Sequence, residues 1–431
     1  MILRLSDSLS RALVLFVVVL VGAWMSFFSV RAAVARYGAE GTTKRRLELA
    51  TRWEPGNPVY WFGLARLNQY DLEHPNPESA EQLYRKAISL DPLYTDAWMD
   101  LGTNYELDGR DDEAHHAFQQ AKKSYPSSAD VSWRYGNFLL RQGNQQLAYA
   151  ELKRAIAADP QRAAAAFTRA YRSNPNIDEI LADLLPTDQT AYLGVIKEAA
   201  ASKQFAVAQT VWGHLIALRP KLTFQDMDWL VMPLVQDREY QEARRVWDEG
   251  VATMKLPPLF QPQLSVIWDP SFESGNNGPG FAWDFRKIDQ GVRISLDRGE
   301  KLSGEQSLQL SFDGKHNPDL EAACTIGSVQ PGTNYHFSGW IKTKDITTAN
   351  GIEFVIRPYG NTIAAVTSTR EIHGTNPWTV FELTWTSPAD AHAVRICIKR
   401  EPSDDAAVRI SGTAWVDDVD LVPQASGTHK P

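Results

Sequence analysis

Cysteine is nearly absent. The chain has two in 431 residues, which excludes a disulfide-built scaffold and a Cys-rich zinc module. Positive charge is also in deficit: Lys and Arg number 44 against 52 Asp and Glu, and seven of the basic residues lie within the first 50 positions. The rest of the chain is therefore more acidic than the net charge of −8 suggests. It lacks the electrostatic footprint that neutralises phosphates, so no nucleic-acid partner is expected. No P-loop, GxSxG, HExxH or GxGxxG pattern occurs. Glycoside hydrolysis requires two carboxylates across a cleft, but Glu273, Glu305, Glu321, Glu353 and Glu382 belong to no nucleophile or acid motif. His115 and His116 are adjacent, about 100° apart around a helix, and cannot converge on one metal as an i, i+4 pair would. The expectation is a protein without catalytic residues, with a glycan-active enzyme as the alternative from another class.

The rest of the composition is ordinary for a globular protein, 43% apolar and 22% charged, but with 14 tryptophans that need packing partners. Long apolar runs are confined to one place. Ala12 to Val30 contains no charged residue, and nineteen residues at 1.5 Å rise approach the thickness of a hydrocarbon core of about 30 Å. Arg4 and Arg11 precede it as in a signal peptide, and Ala33-Val34-Ala35 is a small-residue motif open to cleavage. The run exceeds the usual signal-peptide core and Arg31 intervenes, so a retained anchor over residues 1–36 is expected.

Beyond the anchor, Pro58, Pro92, Pro126 and Pro160 recur every 34 residues, and Ala80, Ala114, Ala148 and Ala87, Ala121, Ala155 keep the same spacing. Gly102 and Gly136 repeat it, and Tyr84, Phe118 and Leu152 fill a large apolar slot between the alanine columns. The pattern resembles the tetratricopeptide repeat. In residues 95–128, Trp98, Leu101, Gly102 and Tyr105 form one helical stripe and Ala114, Phe118 and Ala121 another. Neither helix can bury its face alone, so stacking is required. Clear copies run over 61–162. Asn68 stands where glycine is expected, and Trp133 comes one place late. Degenerate copies follow over 163–254, with Pro186, Pro220, Ala208 and Trp212, then Tyr240, Ala243 and Trp247. The resemblance implies a concave groove, lined by first helices, that holds a protein partner. Its expected positions are Arg66, Asp96, Asp100, Thr103, Arg134, Asn137 and Arg141. These mixed charges do not reproduce the Lys and Asn set with which some family members clamp a C-terminal carboxylate, and a merely solvated face is the competing reading.

Residues 255–264 form a Pro-rich linker, after which composition shifts to Gly, Thr and alternating apolar residues. Segments such as Ser307–Phe312, Tyr335–Ile341, Val380–Trp385 and Val394–Ile398 alternate with period two, which describes an antiparallel sandwich over 265–423, with 424–431 as a disordered tail. The fold class expected is therefore a transmembrane helix, an all-α solenoid and an all-β jelly roll in one chain. The phrases WDPSFESG (268–275), LSGEQSLQL (302–310), VQPGTNYHFSGWIKT (329–343), NPWTVFELTWTSP (376–388) and WVDDVDLV (415–422) resemble the carbohydrate-binding modules of the galactose-binding-like fold. The whole arrangement is similar to a group of uncharacterised bacterial membrane-anchored repeat proteins, a resemblance that implies a role in surface polysaccharide assembly.

That resemblance implies aromatic stacking on sugar faces with polar side chains on the hydroxyls. The candidates are Trp283, Trp340, Tyr359, Trp378 and Trp385, with Arg357, Asn361 and Arg395; each aromatic could instead be core. It also implies a structural calcium near the first and last strands, with Glu273 and Asp418 as ligands, against the reading that Asp417, Asp418 and Asp420 are solvated. Parity places Cys324 with Leu320, Ala322 and Ile326 on an apolar face and Cys397 opposite the apolar face of its strand, so the two are expected to pair poorly. The module implies a body outside the inner membrane, probing glycan. The basic flank of Arg31, Arg36, Lys44, Arg45 and Arg46 argues for the reverse orientation. A purely structural adaptor that binds no sugar is the runner-up.

Overall fold

The computed structural model describes residues 8–39, 43–256, 265–275, 278, 280–285, 291–360, 366–403 and 408–424. Fourteen α-helices and ten strands occur among them: α1 (Ser8–Ala39), α2 (Lys44–Trp53), α3 (Pro58–Gln69), α4 (Pro77–Leu90), α5 (Thr95–Leu107), α6 (Asp111–Ser124), α7 (Ala129–Arg141), α8 (Gln145–Ala158), α9 (Ala163–Ser173), α10 (Ile177–Leu184), α11 (Gln189–Ala201), α12 (Phe205–Ala217), α13 (Phe224–Gln236) and α14 (Tyr240–Ala252), then β1 (Asp284–Phe285), β2 (Val292–Asp297), β3 (Ser307–Asp313), β4 (Leu320–Ser328), β5 (Asn334–Ile346), β6 (Glu353–Pro358), β7 (Thr367–Ser368), β8 (Gly374–Thr386), β9 (Ala393–Arg400) and β10 (Ser411–Pro423). Helix gives way to strand on either side of the expected linker, whose residues 257–264 lie outside the described set. The compact units divide elsewhere, at Ala191/Tyr192.

In the first unit, residues 11–38 of α1 form a helix long and apolar enough to cross a membrane, and its large side chains from Leu13 to Val30 are exposed. Its last turns belong to the helical array. Ala35 is fully buried, and a Cβ on Gly38 would lie 2.8 Å from the Arg46 carbonyl oxygen on α2.

Helical hairpins follow, and α4, α6 and α8 begin 34 residues apart. Asn57, Asn76, Ser128 and Asn144 cap α3, α4, α7 and α8 by accepting from backbone amides. The turns between the helices of a hairpin need a left-handed residue, supplied by Gly109 and Gly143 with φ of 73° and 74°. Gly102 and Gly136 act by size: a Cβ there would meet the Phe118 ring at 3.1 Å and Leu152 at 2.8 Å. The glycines of α5 and α7 thus receive the large side chains of α6 and α8, while the alanine columns are fully buried. Each large side chain so buried contributes about 1.5–3 kcal/mol.

In the second unit the sandwich has two five-stranded sheets, ordered β1-β4-β9-β6-β7 and β2-β3-β10-β5-β8, with every pairing antiparallel. Their inner faces enclose Phe272, Trp283, Leu310, Phe337, Phe354, Ile396 and Val416. The same unit includes α12 to α14, of which α13 and α14 dock on the sandwich. Fully buried Trp247 of α14 meets Trp268 edge-on at 5.1 Å and Phe281 at 6.0 Å. Phe224 of α13 packs on both tryptophans, and Arg244 donates to the Val266 carbonyl at 3.0 Å. The last degenerate repeat therefore serves as a base for the strands.

One expectation is overturned. Cys324 and Cys397 are directly opposite across β4 and β9 and form a disulfide, with Cα atoms 4.1 Å apart. The parity argument failed because β4 bulges between Glu321 and Ala323. The extra residue puts both Ala322 and Ala323 in the core and turns Cys324 outward, onto the face that Cys397 already occupies.

Candidate functional site

The groove positions were read from the repeat register, and the structure brings Thr103, Arg134, Asn137 and Arg141 into one cleft of about 280 Å³ on the first-helix side of the first unit. Arg66 joins the same charge network through Asp100, to which Arg66 Nε lies at 3.3 Å and Arg134 donates. Asp100 is buried, and burial raises its pKa while the two guanidiniums pull it back. Asp96 stands apart, exposed in the first turn of α5. Arg141 donates through Nε and Nη2 to the two oxygens of Glu106 at 2.6 and 2.9 Å.

Trp133, Glu106, Tyr70 and Arg169 also line this cleft and were not singled out from sequence. Trp133 had a signal. One place beyond the repeat's Trp98 position, it is rotated about 100° around α7, out of the helix interface and into the groove, while Ser132 takes the buried place. The Arg169 guanidinium lies 4.6 Å from the Trp133 ring centroid and donates to Asn137 Oδ1. Burial first, then the neighbouring charges of Arg141 and Arg172, lowers the Arg169 pKa.

The candidate sugar contacts do not share one surface. Trp283 and Trp385 are core residues: Trp283 is fully buried, packs on Phe272 at 4.7 Å and donates to the Asp269 carbonyl, and Trp385 packs on Tyr335 at 5.9 Å. Period-two alternation placed Trp385 on one face of a strand, and that face turned out to be the covered one; Trp283, named from the resemblance, lies just before β1. Arg357 and Arg395 are on the outer face of the first sheet, where Glu321 holds them at 2.6 and 3.6 Å beside the disulfide. Tyr359 leaves the end of β6 to meet Tyr240 of α14 edge-on at 6.2 Å. Asn361 lies outside the described residues. Trp340 and Trp378 remain: both are half-buried, outside the core, on β5 and β8 of the second sheet. Trp340 pairs in register with Val380, two residues from Trp378. His336, Ser338 and Lys342 share the Trp340 side of β5, and Glu382 lies 3.5 Å from His336.

Glu273 and Asp418 grip one loop. Asp418, at the β10 bulge with φ of 45°, accepts from the hydroxyls of Ser271 and Ser303, each at 2.6 Å. Glu273 Oε1 accepts from the amides of Glu305 and Gln306. Beside them, buried Asp417 accepts from the amides of Leu302 and Ser303. N–H and O–H donors fit a hydrogen-bonded latch closing the 302–306 loop; a calcium cage needs six to eight oxygen ligands facing inward. Among the described residues the group of three or more acidic, His or Cys side chains with converging ligand atoms is Glu321, Cys324 and Cys397, and its sulfurs are bonded to each other.

Comparison with known proteins follows this division. The tetratricopeptide-repeat family profile matches residues 108–163. A curated relative, the tRNA(Glu)-specific nuclease WapA of Bacillus subtilis subsp. natto (strain BEST195), is 25% identical over 181 residues, 39% of this chain and 7% of that protein. The chain therefore spans only a small part of the curated relative it matches. Among solved structures, a Family 16 carbohydrate-binding module is 18% identical, covering 36% of this chain and 99% of its own, with a TM-score of 0.27. TmCBM61 in complex with β-1,4-galactotriose is 15% identical, covering 37% and 99%, with a TM-score of 0.26. YrrB, a TPR protein with an unusual peptide-binding site, is 16% identical, covering 49% and 93%, with a TM-score of 0.24.

Proposed function

We propose that this is a membrane-anchored interaction protein without catalytic function, in which the repeat groove holds a segment of a partner protein and the sandwich binds glycan. The observation that carries the reading is the groove cleft itself. Polar and aromatic side chains from successive first helices converge there on one open surface, the arrangement that peptide recognition uses.

Glycan binding rests on Trp340 and Trp378, which present half-buried indole surface on the open side of a sheet with polar neighbours. On a glycan array, the purified protein should retain defined oligosaccharides, and Trp340→Ala and Trp378→Ala should each lose them with the melting curve unchanged. Equal retention by both variants defeats the assignment. A structural adaptor is the second reading, favoured by the packing of Trp247, Trp268 and Phe281 between helices and strands; an empty array would select it.

Helix α1 is proposed as a retained anchor, because Arg31 donates to the Trp53 carbonyl at the end of α2 and Ala35 is fully buried, and cleavage after Ala33-Val34-Ala35 would remove both. The disulfide favours an oxidising compartment, hence a body on the periplasmic side of a bacterial inner membrane and a role in surface polysaccharide assembly or export. Alkaline phosphatase fused to the C-terminus should be active and a cytoplasmic fluorophore dark; the opposite pair of results rejects this orientation.

A further inference from the structure

We propose that the groove selects an extended partner segment carrying Asp or Glu side chains about three positions apart, with one carboxylate seated on Arg169. The inference rests on the groove reading above and adds the chemistry of what binds.

The chain as a whole is acidic, with a net charge of −8, yet this surface is basic. Arg66, Arg134, Arg141 and Arg169 face Asp100 and Glu106, leaving guanidiniums in excess. The two carboxylates are committed: Asp100 is shared by Arg66 and Arg134, and Glu106 is held by Arg141 in a two-point contact. Arg169 differs from the others. It is exposed, its partners are the neutral Asn137 amide and the Trp133 face, and no carboxylate among the described residues is within ion-pair distance of it. Arg141 and Arg172 add like charge around it. An incoming carboxylate would give Arg169 the planar two-point partner that guanidinium favours and relieve the repulsion among the three arginines. Trp133, with its ring centroid 4.6 Å from the Arg169 guanidinium, restrains that side chain and lowers the cost of ordering it.

Distribution of the charges argues for acidic side chains over a C-terminal carboxylate. Arg66, Arg134 and Arg169 come from α3, α7 and α9, so the basic groups run along the groove, whereas a chain terminus offers a single carboxylate. Packed helices are about 8–10 Å apart, and an extended chain advances about 3.3 Å per residue. Acidic residues at i and i+3 would therefore meet the neighbouring first helices α7 and α9, while Arg66 lies farther off, beyond α5 with its Asp100 and Glu106.

Full-length protein in detergent is titrated, by fluorescence anisotropy, with labelled twelve-residue peptides capped at both ends and bearing Glu, Gln or Lys at every third position. A fourth peptide is neutral with a free C-terminal carboxylate. The Glu peptide should bind at least about tenfold more tightly than the Gln peptide and weaken with added salt. Arg169→Gln should remove about tenfold and Arg169→Lys less, with the circular dichroism spectrum unchanged in both. Equal binding of Glu and Gln peptides, preference for Lys, or binding only of the free-carboxylate peptide overturns the inference. A random-sequence peptide array separates this from the groove reading. Binders lost on Trp133→Ala but not enriched in acid defeat the charge rule alone, while a complete lack of groove-dependent binders defeats both.

Discussion

Arg134 donates to Asp100 from the equivalent position of the next repeat, 34 residues further along the chain, and Arg66 reaches the same carboxylate from the repeat before. The three-residue ladder joins consecutive hairpins at one register. Its members are unequal in burial: the Asp100 side chain is 5% exposed, against 42% for Arg134 and 55% for Arg66. Removing the acid leaves arginines that water can solvate, whereas removing Arg134 leaves a buried charge with one partner at 3.3 Å. Arg134→Ala should therefore cost about 2 kcal/mol and Asp100→Asn about 1 kcal/mol, read from urea unfolding. The reverse order would mean that the carboxylate contributes through contacts other than this ladder.

Gly136 has a role set by size. A Cβ there would lie 2.8 Å from Leu152, the large residue of its own hairpin. Gly136→Ala should lower stability by about 1–3 kcal/mol through overpacking, despite alanine's better helix propensity. Pairing it with Leu152→Ala should restore part of that loss, so the double variant should be more stable than the sum of the singles predicts. Strict additivity in a double-mutant cycle would show that the two residues do not share this space.

The Gly136 and Leu152 pairing was legible in the sequence because a period of 34 displays each position several times, and columns of small and large residues then imply contact. Trp133 was legible only as a one-residue departure from the register, which changes the face, and Arg169 was not legible at all, because no column marks it. In the sandwich, alternation separated two faces of each strand but could not say which would be covered. Trp385 therefore looked like Trp340 until the sheets were stacked. Cys324 was misplaced by one bulge residue, since period-two parity is only as good as the count of residues between two points. The compact-unit boundary at Ala191/Tyr192 was hidden for a related reason. Trp247 and Tyr240 read as repeat positions, but their partners Trp268, Phe281 and Tyr359 come from the strand segment.

The Cys324–Cys397 bond closes a separation of 73 residues between adjacent strands of the first sheet. Chain-entropy arguments give such a link about 4 kcal/mol. Cys324→Ser with Cys397→Ser should lower the melting temperature by several degrees in calorimetry, and reductant should then have no further effect. Trp340 and Trp378 belong to the other sheet, so glycan retention at room temperature should survive. Loss of retention by the folded double serine variant would move the sugar surface to the disulfide face.

Burial pushes the pKa of Asp417 and of Asp228 up to about 7. The Asp417 carboxylate is opposed by its neighbour Asp418 and relieved by the amides of Leu302 and Ser303, whereas Asp228 has only desolvation, and its Oδ1 has no hydrogen-bond partner. An unfolded Asp titrates near about 3.9, so between pH 4 and pH 7 the folded protein binds more protons than the unfolded one at both positions. Stability must then fall as pH rises through that window, opposite to the behaviour of an ion-paired carboxylate. The melting temperature should be higher at pH 5 than at pH 7.5. Asp228→Asn should raise it at pH 7.5, change it little at pH 5, and flatten the slope between them. Asp417→Asn should flatten the slope too, but with a smaller gain, because an amide keeps one acceptor where the carboxylate has two. A slope that persists undiminished in the Asp228→Asn, Asp417→Asn double variant would assign the pH dependence to other groups.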